Sequence, residues 1–130
     1  MLKQDYLLRL IERAVAALTQ ALGLMDRGDL TKSAERLRAA YDSVVRVDRE
    51  MLESLEAATL APLLGPAEVV RVVARLFAAE ARLHDHWKEP ERAARLRRRA
   101  CELYVAVDVG DDPEDRRTFM ALYRATKPDA

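Results

Sequence analysis

Apolar residues recur every three or four positions along most of this chain, and that spacing limits what it can fold into. In the first segment the spaced residues are Leu7, Ile11, Ala14, Leu18, Ala21 and Met25. This period places apolar side chains on one face of an α-helix, whereas a strand would need alternation, which no segment sustains. The sequence therefore predicts an all-α protein.

Glycine, proline and aspartate residues indicate where the predicted helices begin and end. We expect about six helices: one pair over about 5–47, a short helix over about 49–59, a second pair over about 66–107 and a C-terminal helix over about 113–125. Gly28 should end the first helix, Asp48 should cap the short helix, and Pro62 should end it. A chain of 130 residues predicts a single domain, 1–126, followed by a frayed tail, 127–130.

The helix that should begin near Pro66 is apolar around most of its circumference. Its apolar residues are Val69, Val70, Val72, Val73, Leu76, Phe77, Ala81 and Leu83. We expect such a helix at the centre of the fold, because every side of it must be covered. If the other helices do not cover it fully, a second copy must, and a two-fold dimer is the commonest solution. We therefore expect a homodimer, in which Ala14, Ala17 and Ala21 would let a partner helix approach closely.

A shift of 60 residues brings the two helix pairs into register. Small residues then coincide at three points, which are Ala21 with Ala81, Ser33 with Ala93, and Ala40 with Ala100. In this pattern each pair resembles a tetratricopeptide repeat, which has a small residue late in its first helix and two more, seven apart, in its second. The resemblance implies stacked helical hairpins with a concave face that binds an extended peptide or a partner helix.

The opening stretch QDYLLRLIER resembles the start of an uncharacterised bacterial family of small helical proteins. The points of similarity are Gln4, Asp5, Tyr6, Arg9, Ile11 and Glu12. This resemblance implies a bacterial cytosolic origin and carries no activity with it.

The cysteine content and the N-terminus predict a cytoplasmic location. Cys101 is the only cysteine, so no internal disulfide is possible, which is typical of a reducing compartment. The N-terminal stretch has charges within its apolar part and no cleavage-site pattern, so we expect no signal peptide. No apolar run approaches the roughly 18 residues of a membrane span, and we expect no membrane association.

The stretch HDHW, residues 84–87, holds both histidines and the only tryptophan. On a helix His84 and His86 point about 200° apart, so they cannot hold one metal ion together. The chain has no phosphate-binding glycine loop, no nucleophile elbow and no zinc-protease motif. We therefore expect no catalytic residues, no metal site and no cofactor.

The run ERAARLRRRACE invites the hypothesis of a nucleic-acid interface. Its arginines share one flank of the predicted fifth helix, and they are Arg92, Arg95, Arg98 and Arg99. Glu91 and Glu102 stand four residues from Arg95 and Arg98, a spacing typical of a solvated face with ion pairs. The formal net charge is zero, so counterion release would contribute little to binding, and we expect no nucleic-acid partner.

These observations favour a non-enzymatic module for protein–protein interaction, with an unidentified protein or peptide partner. The candidate partner-binding residues face outward on the first and fourth helices, and they are Arg13, Gln20, Arg75, Glu80 and Arg82. The alternative is a helical bundle that binds a small apolar ligand as a sensor. Its candidate pocket would consist of Phe77, His84, Trp87 and Tyr104.

Overall fold

The computed structural model describes residues 3–126, and that part of the chain is almost entirely helical. Its seven α-helices are α1 (Lys3–Asp26), α2 (Leu30–Val44), α3 (Arg49–Ser54), α4 (Ala57–Leu64), α5 (Ala67–His86), α6 (Pro90–Val107) and α7 (Pro113–Thr126). Residues 3–126 contain no strand and form one domain around one apolar core. The prediction of an all-α domain is confirmed, while the predicted fraying of 127–130 lies outside the described residues.

The number of helices was predicted one too low, because two short helices stand where one was expected over 49–59. α3 ends at Ser54, and Leu55 and Glu56 have extended backbones with ψ of 146° and 142°. Pro62 was predicted to end the short helix, but it lies inside α4. Its missing N–H leaves one carbonyl without the usual helical partner, that of Ala58, which is an exposed residue.

The predicted offset of 60 residues between the helix pairs holds at their turns. α1 ends at Asp26 and α5 at His86, while α2 begins at Leu30 and α6 at Pro90. Both first helices end in the same pair of backbone hydrogen bonds, which are Gly28 N to Met25 O and Asp29 N to Leu24 O, then Lys88 N to Asp85 O and Glu89 N to His84 O. This is the Schellman arrangement, which needs a residue with positive φ; that residue is Gly28 at 82° and Lys88 at 59°.

The two helices of each pair cross in close contact, as the small residues predicted. All six matched positions are buried. In the first pair, Ser33 Oγ donates a hydrogen bond to the carbonyl of Ala21 at 2.8 Å. α1 packs mainly on α2, and α5 mainly on α6.

α5 is the central helix, as predicted, and its cover comes from the same chain. It contacts α1, α2, α4, α6 and α7. Val70, Val73 and Phe77 have no exposed surface. Within residues 3–126, no single helix is both long and apolar enough to cross a membrane; the bent pair α4 and α5 meets that test only when the two are combined.

The arginine flank of α6 is less solvated than predicted. Arg92 forms an ion pair with Glu53 of α3. The Arg99 side chain is only 10% exposed, and it donates hydrogen bonds to the carbonyls of Leu52 and Leu55. These contacts, together with the buried Leu52, hold α3 against α6.

Candidate functional site

Two open cavities of ligand size lie on opposite sides of α5 in the described part of the chain. One is a groove of about 590 Å³ between α1, α5 and α7, here called the α1/α5/α7 groove. The other is a pocket of about 420 Å³ between α2 and the C-terminal half of α5, closed at one end by α3, here called the α2/α5 pocket. Both lie in the size range of cavities that bind ligands.

The α1/α5/α7 groove has an apolar floor and a basic rim. The floor consists of Val15, Leu18, Leu22, Ala78, Ala79, Ala121 and Leu122. Three arginines and one acid line the rim, and they are Arg75, Arg82, Arg97 and Glu114. A basic rim over an apolar floor suits an amphipathic partner that carries carboxylates.

Arg75 is fixed on its carboxylate partners at the junction of α5 and α7. Its Nε donates to Asp115 Oδ1 at 2.7 Å and its Nη2 to Asp115 Oδ2 at 3.0 Å, while Asp112 Oδ1 lies 3.2 Å from Nη2. Asp115 is buried and also accepts a 2.7 Å hydrogen bond from the Tyr104 hydroxyl. The hydrogen bonds that Arg75 donates to Asp115 raise the pKa of Arg75, and this arginine docks α7 on α5.

Arg82 is the arginine of the rim that is most available to a partner. Its ion pair with Asp26 spans 3.5 Å, and the two side chains are 51% and 71% exposed. Arg97, by contrast, is ion-paired with Asp85 and only 25% exposed. An exposed pair at this distance contributes little to stability, so a ligand carboxylate can replace Asp26 at small cost.

The structure does not bring the predicted partner-binding residues together. Arg75 and Arg82 line the groove. Arg13 and Gln20 are exposed on α1 outside its lining. Glu80 lies on the other side of α5, in the α2/α5 pocket. α7 contributes one wall of the groove, which sequence reasoning missed because only packing places this helix beside α1.

An ion-pair network closes one end of the α2/α5 pocket. Arg49 Nη2 donates to the two carboxylate oxygens of Glu80 at 2.9 and 2.8 Å. Glu53 accepts hydrogen bonds from Arg49 and from Arg92. Hydrogen bonds from Arg92, and then those from Arg49, lower the pKa of Glu53 from 4.5 to about 2. The Arg49–Glu53 spacing of four residues is visible in the sequence, whereas Glu80 and Arg92 come from distant helices.

Tyr41 lies against this network, with its hydroxyl buried beside the ion pair of Arg49 and Glu80. Its ring meets Phe77 edge-on at 5.8 Å between centroids, and the Arg49 guanidinium lies 4.9 Å from the Tyr41 centroid. The hydroxyl oxygen is buried beside the Glu80 and Arg49 side chains, although neither forms a hydrogen bond of normal geometry with it. Burial, and then the nearby Glu80 carboxylate, raise the pKa of Tyr41 well above its ordinary value, so the hydroxyl keeps its proton.

The predicted ligand pocket is divided by the fold. His84 and Trp87 line the α2/α5 pocket, and Phe77 lies beneath Tyr41. Tyr104 is fully buried elsewhere, bonded to Asp115. Sequence reasoning missed Tyr41, because a tyrosine on the inward stripe of a helix is indistinguishable from an ordinary core residue.

The HDHW stretch forms the end of α5. His84 Nδ1 lies 3.0 Å from Glu89 Oε1, and its Nε2 lies 3.6 Å from Glu80 Oε2. The Trp87 ring meets the His84 ring edge-on at 5.3 Å. Among the described residues, no group of three or more histidine, cysteine or acidic side chains is placed to hold a metal ion. Cys101 is half-buried beside the core.

Comparison of the chain with protein-family models, with curated proteins and with solved structures finds no match.

Proposed function

We propose that this protein is a non-enzymatic cytoplasmic module for protein–protein interaction, with the stacked hairpins of a tetratricopeptide-like array. Its ligand would be an acidic peptide, extended or helical, bound in the α1/α5/α7 groove. The observation that carries the proposal is the groove itself, because the first helix of each hairpin forms a wall of it and α7 completes it.

The repeated turn and the repeated small residues support tetratricopeptide-like stacking. The second hairpin follows the first at an offset of 60 residues. Both hairpins have the same Schellman turn, and both have buried small residues where their helices cross. α5 packs on α1 and on α2, which is the order of contacts that stacked hairpins require. The first helices then share one face of the array, and that face holds the groove. The resemblance of the N-terminus to a bacterial family gives the cytosolic setting.

The charge of the rim specifies the partner's chemistry. Of the three arginines around the groove, Arg75 and Arg97 are held in ion pairs within the protein, and Arg82 is the exposed one. The floor offers leucine, valine and alanine surface without a buried charge. A peptide with apolar anchors beside a carboxylate would fill the floor and pair with Arg82.

The proposal is tested by selecting peptides from a random phage-displayed library against the purified protein. We expect enriched peptides to combine aliphatic or aromatic residues with aspartate or glutamate. Arg82→Glu should weaken their binding about tenfold in fluorescence polarisation, because it turns an attraction into a repulsion at the rim.

Arg98→Glu is the matched control, since Arg98 is an exposed arginine of α6 outside the groove lining. It makes the same change in net charge and should leave the affinity within about twofold. Equal losses in the two variants would mean that only overall charge matters and would contradict a groove site. Enriched peptides without acidic residues would contradict the stated chemistry.

A further inference from the structure

The α1/α5/α7 groove is walled by helices, and these have no free backbone groups to offer a partner. All of its lining residues lie within α1, α5, α6 or α7. The N–H and C=O groups inside a helix bond to one another. An extended peptide over the apolar floor would bury some of its own N–H and C=O groups without partners, which is costly. A helix satisfies these groups itself, so the groove favours a helical partner over an extended one.

The open part of the groove extends along two helical turns. Val15 and Leu22 of α1 are half-buried lining residues that stand seven positions apart, which is about 10.5 Å along the helix axis. Opposite them, Ala78 of α5 is half-buried and Ala121 of α7 is exposed. Their small side chains leave room for larger ones from a partner. A helix with apolar residues at positions i, i+3, i+4 and i+7 presents a face of the same length.

The exposed charges at the two ends of the groove have opposite signs. Glu114 lies where α7 begins, one residue before the carboxylate that binds Arg75. Arg82 lies seven residues further along α5, at the other end. The ion pairs of Glu114 with Arg117 and of Arg82 with Asp26 are on the surface, where such pairs contribute little. A helix is partially positive at its N-terminus and partially negative at its C-terminus, so these ends favour a partner helix that runs in the direction of α5.

We propose that the α1/α5/α7 groove binds a short amphipathic α-helix that lies along α5 in the same direction, with its apolar face on Val15 and Leu22 and a carboxylate of its last turn on Arg82. This inference rests on the proposed function and specifies the conformation and the direction of its peptide. Arg82 then meets both the carboxylate and the last carbonyl groups of the partner helix, and both attract a cation. The first turn of the partner lies at Glu114.

The helical conformation is tested with a designed probe, an alanine- and glutamine-based peptide with leucines at positions i, i+3, i+4 and i+7 and one glutamate in its last turn. We expect this probe to bind the full chain in fluorescence polarisation. Proline in place of an alanine in the middle of the peptide, outside its leucine face, should weaken binding roughly tenfold or more, because proline breaks a helix. A proline peptide that binds as tightly as the probe would contradict a helical partner.

The direction is tested with a nitroxide spin label at either end of the probe. A label at the C-terminal end should broaden the amide NMR resonances of Asp26 and Arg82, which lie at one end of the groove. A label at the N-terminal end should broaden those of Glu114 and Arg117. The exchanged pattern would mean that the helix runs against α5, and the proposal would be wrong.

A charge exchange tests the contact with Arg82. Arg82→Glu should weaken binding of the probe about tenfold, since two carboxylates would then face each other. A probe with lysine in place of its glutamate should bind Arg82→Glu more tightly than it binds the parent. If this reversal is absent, the last turn of the partner does not lie at Arg82.

Ala121→Leu tests whether the probe occupies the groove. A leucine at this exposed lining position should displace the probe and weaken binding about fivefold or more. Ala125→Leu, the same change at an exposed position of α7 outside the groove lining, is the matched control and should bind the probe as the parent does. Equal affinities of these two variants would place the helix elsewhere and overturn the proposal.

Failure of the helical partner and failure of the peptide site give different results. If acidic peptides from the random library bind and depend on Arg82, but tolerate proline throughout, the groove is a peptide site and only the helical partner is wrong. If neither the probe nor any library peptide binds, both proposals are wrong.

Discussion

Buried polar side chains determine how the short helices dock. The partners of these side chains are the residue-level feature that is hardest to predict from the sequence. Asp115 falls in the predicted first turn of the C-terminal helix, where an acid suits the helix dipole. Its partners Arg75 and Tyr104 lie 40 and 11 residues away from it in the sequence. No local pattern specifies such pairings, so Arg75 was predicted to face a partner although its guanidinium is occupied within the protein.

Glu53 should make the stability depend on pH in the acid range. Its pKa is lowered to about 2 in the folded protein, so the ionised form is stabilised by folding. That stabilisation is fully present above pH 4.5, the ordinary pKa, and is lost as the pH falls from there towards 2. We expect the melting temperature of Glu53→Gln to fall less steeply than the parent's between pH 5 and pH 2.5.

The control for this prediction is Glu50→Gln, which removes an exposed acid from the same helix. It should keep the parent's slope of melting temperature against pH. If Glu53→Gln has the parent's slope as well, the contacts with Arg92 and Arg49 are not formed in solution.

At the scale of helices and turns, the sequence predicted most of the structure, because helix period and capping residues are local signals. Asp29, Asp48 and Asp112 accept hydrogen bonds from backbone N–H groups at the starts of α2, α3 and α7. The break between α3 and α4 was missed, since Leu55 and Glu56 are good helix formers. Arg99 donates hydrogen bonds to the carbonyls of Leu52 and Leu55 at this break. No local sequence pattern indicates such a tertiary contact.

The turn after α5 is predicted to be less stable than the turn after α1. Lys88 holds the positive φ of 59° that Gly28 holds in the first hairpin, and a side chain in this conformation is strained. Lys88→Gly should raise the free energy of unfolding by about 0.5–1 kcal/mol in urea denaturation, after allowing for the entropy that glycine adds to the unfolded chain. Lys88→Ala, which keeps the strain, should give no such gain; an equal gain would assign the effect to the lost lysine side chain.

The crossing of α5 and α6 gives a second prediction at this scale. Ala81 has no exposed surface and corresponds to Ala21, whose carbonyl accepts the bond from Ser33. Ala81→Leu should lower the free energy of unfolding by about 1–3 kcal/mol, because the larger side chain would force the helices apart. Ala94→Leu, the same change at an exposed position of α6, should stay within about 0.5 kcal/mol of the parent in the same urea titration. A parent-like Ala81→Leu would contradict a close crossing.

For the whole molecule, the sequence predicted which helix would be central and could not predict how completely it would be covered. Coverage depends on where α4 and α7 dock, and those positions rest on contacts such as Arg75 with Asp115. The two cavities also depend on how the helices pack together, since each is lined by residues from at least three helices. The spacing of apolar residues along a helix indicates which face of the helix is buried. It does not indicate which other helix packs against that face.

Two features predicted a homodimer, the apolar α5 and the small residues of α1, and both pack against helices of the same chain. α5 is covered by its own neighbours, and Ala14, Ala17 and Ala21 of α1 are at most 3% exposed in the monomer. The large apolar side chains that remain exposed are spread over several helices, and they are Tyr6, Leu8, Leu63, Trp87, Val105, Met120 and Tyr123. A stable dimer needs roughly 800 Å² from each partner, and these side chains are divided among α1, α4, α6, α7 and the turn after α5.

We therefore expect a monomer at micromolar concentration, with a mass of 14.7 kDa by light scattering that stays constant over a tenfold dilution. Met120→Glu and Leu8→Glu, each an exposed apolar residue on a different helix, should leave that mass unchanged. A mass near twice this value would restore the dimer, and loss of the dimer in only one of the two variants would identify the helix that forms its interface. The part of α5 that such an interface could reach is small, because α5 is apolar and open only at the floor of the α1/α5/α7 groove, where Ala78 and Ala79 lie.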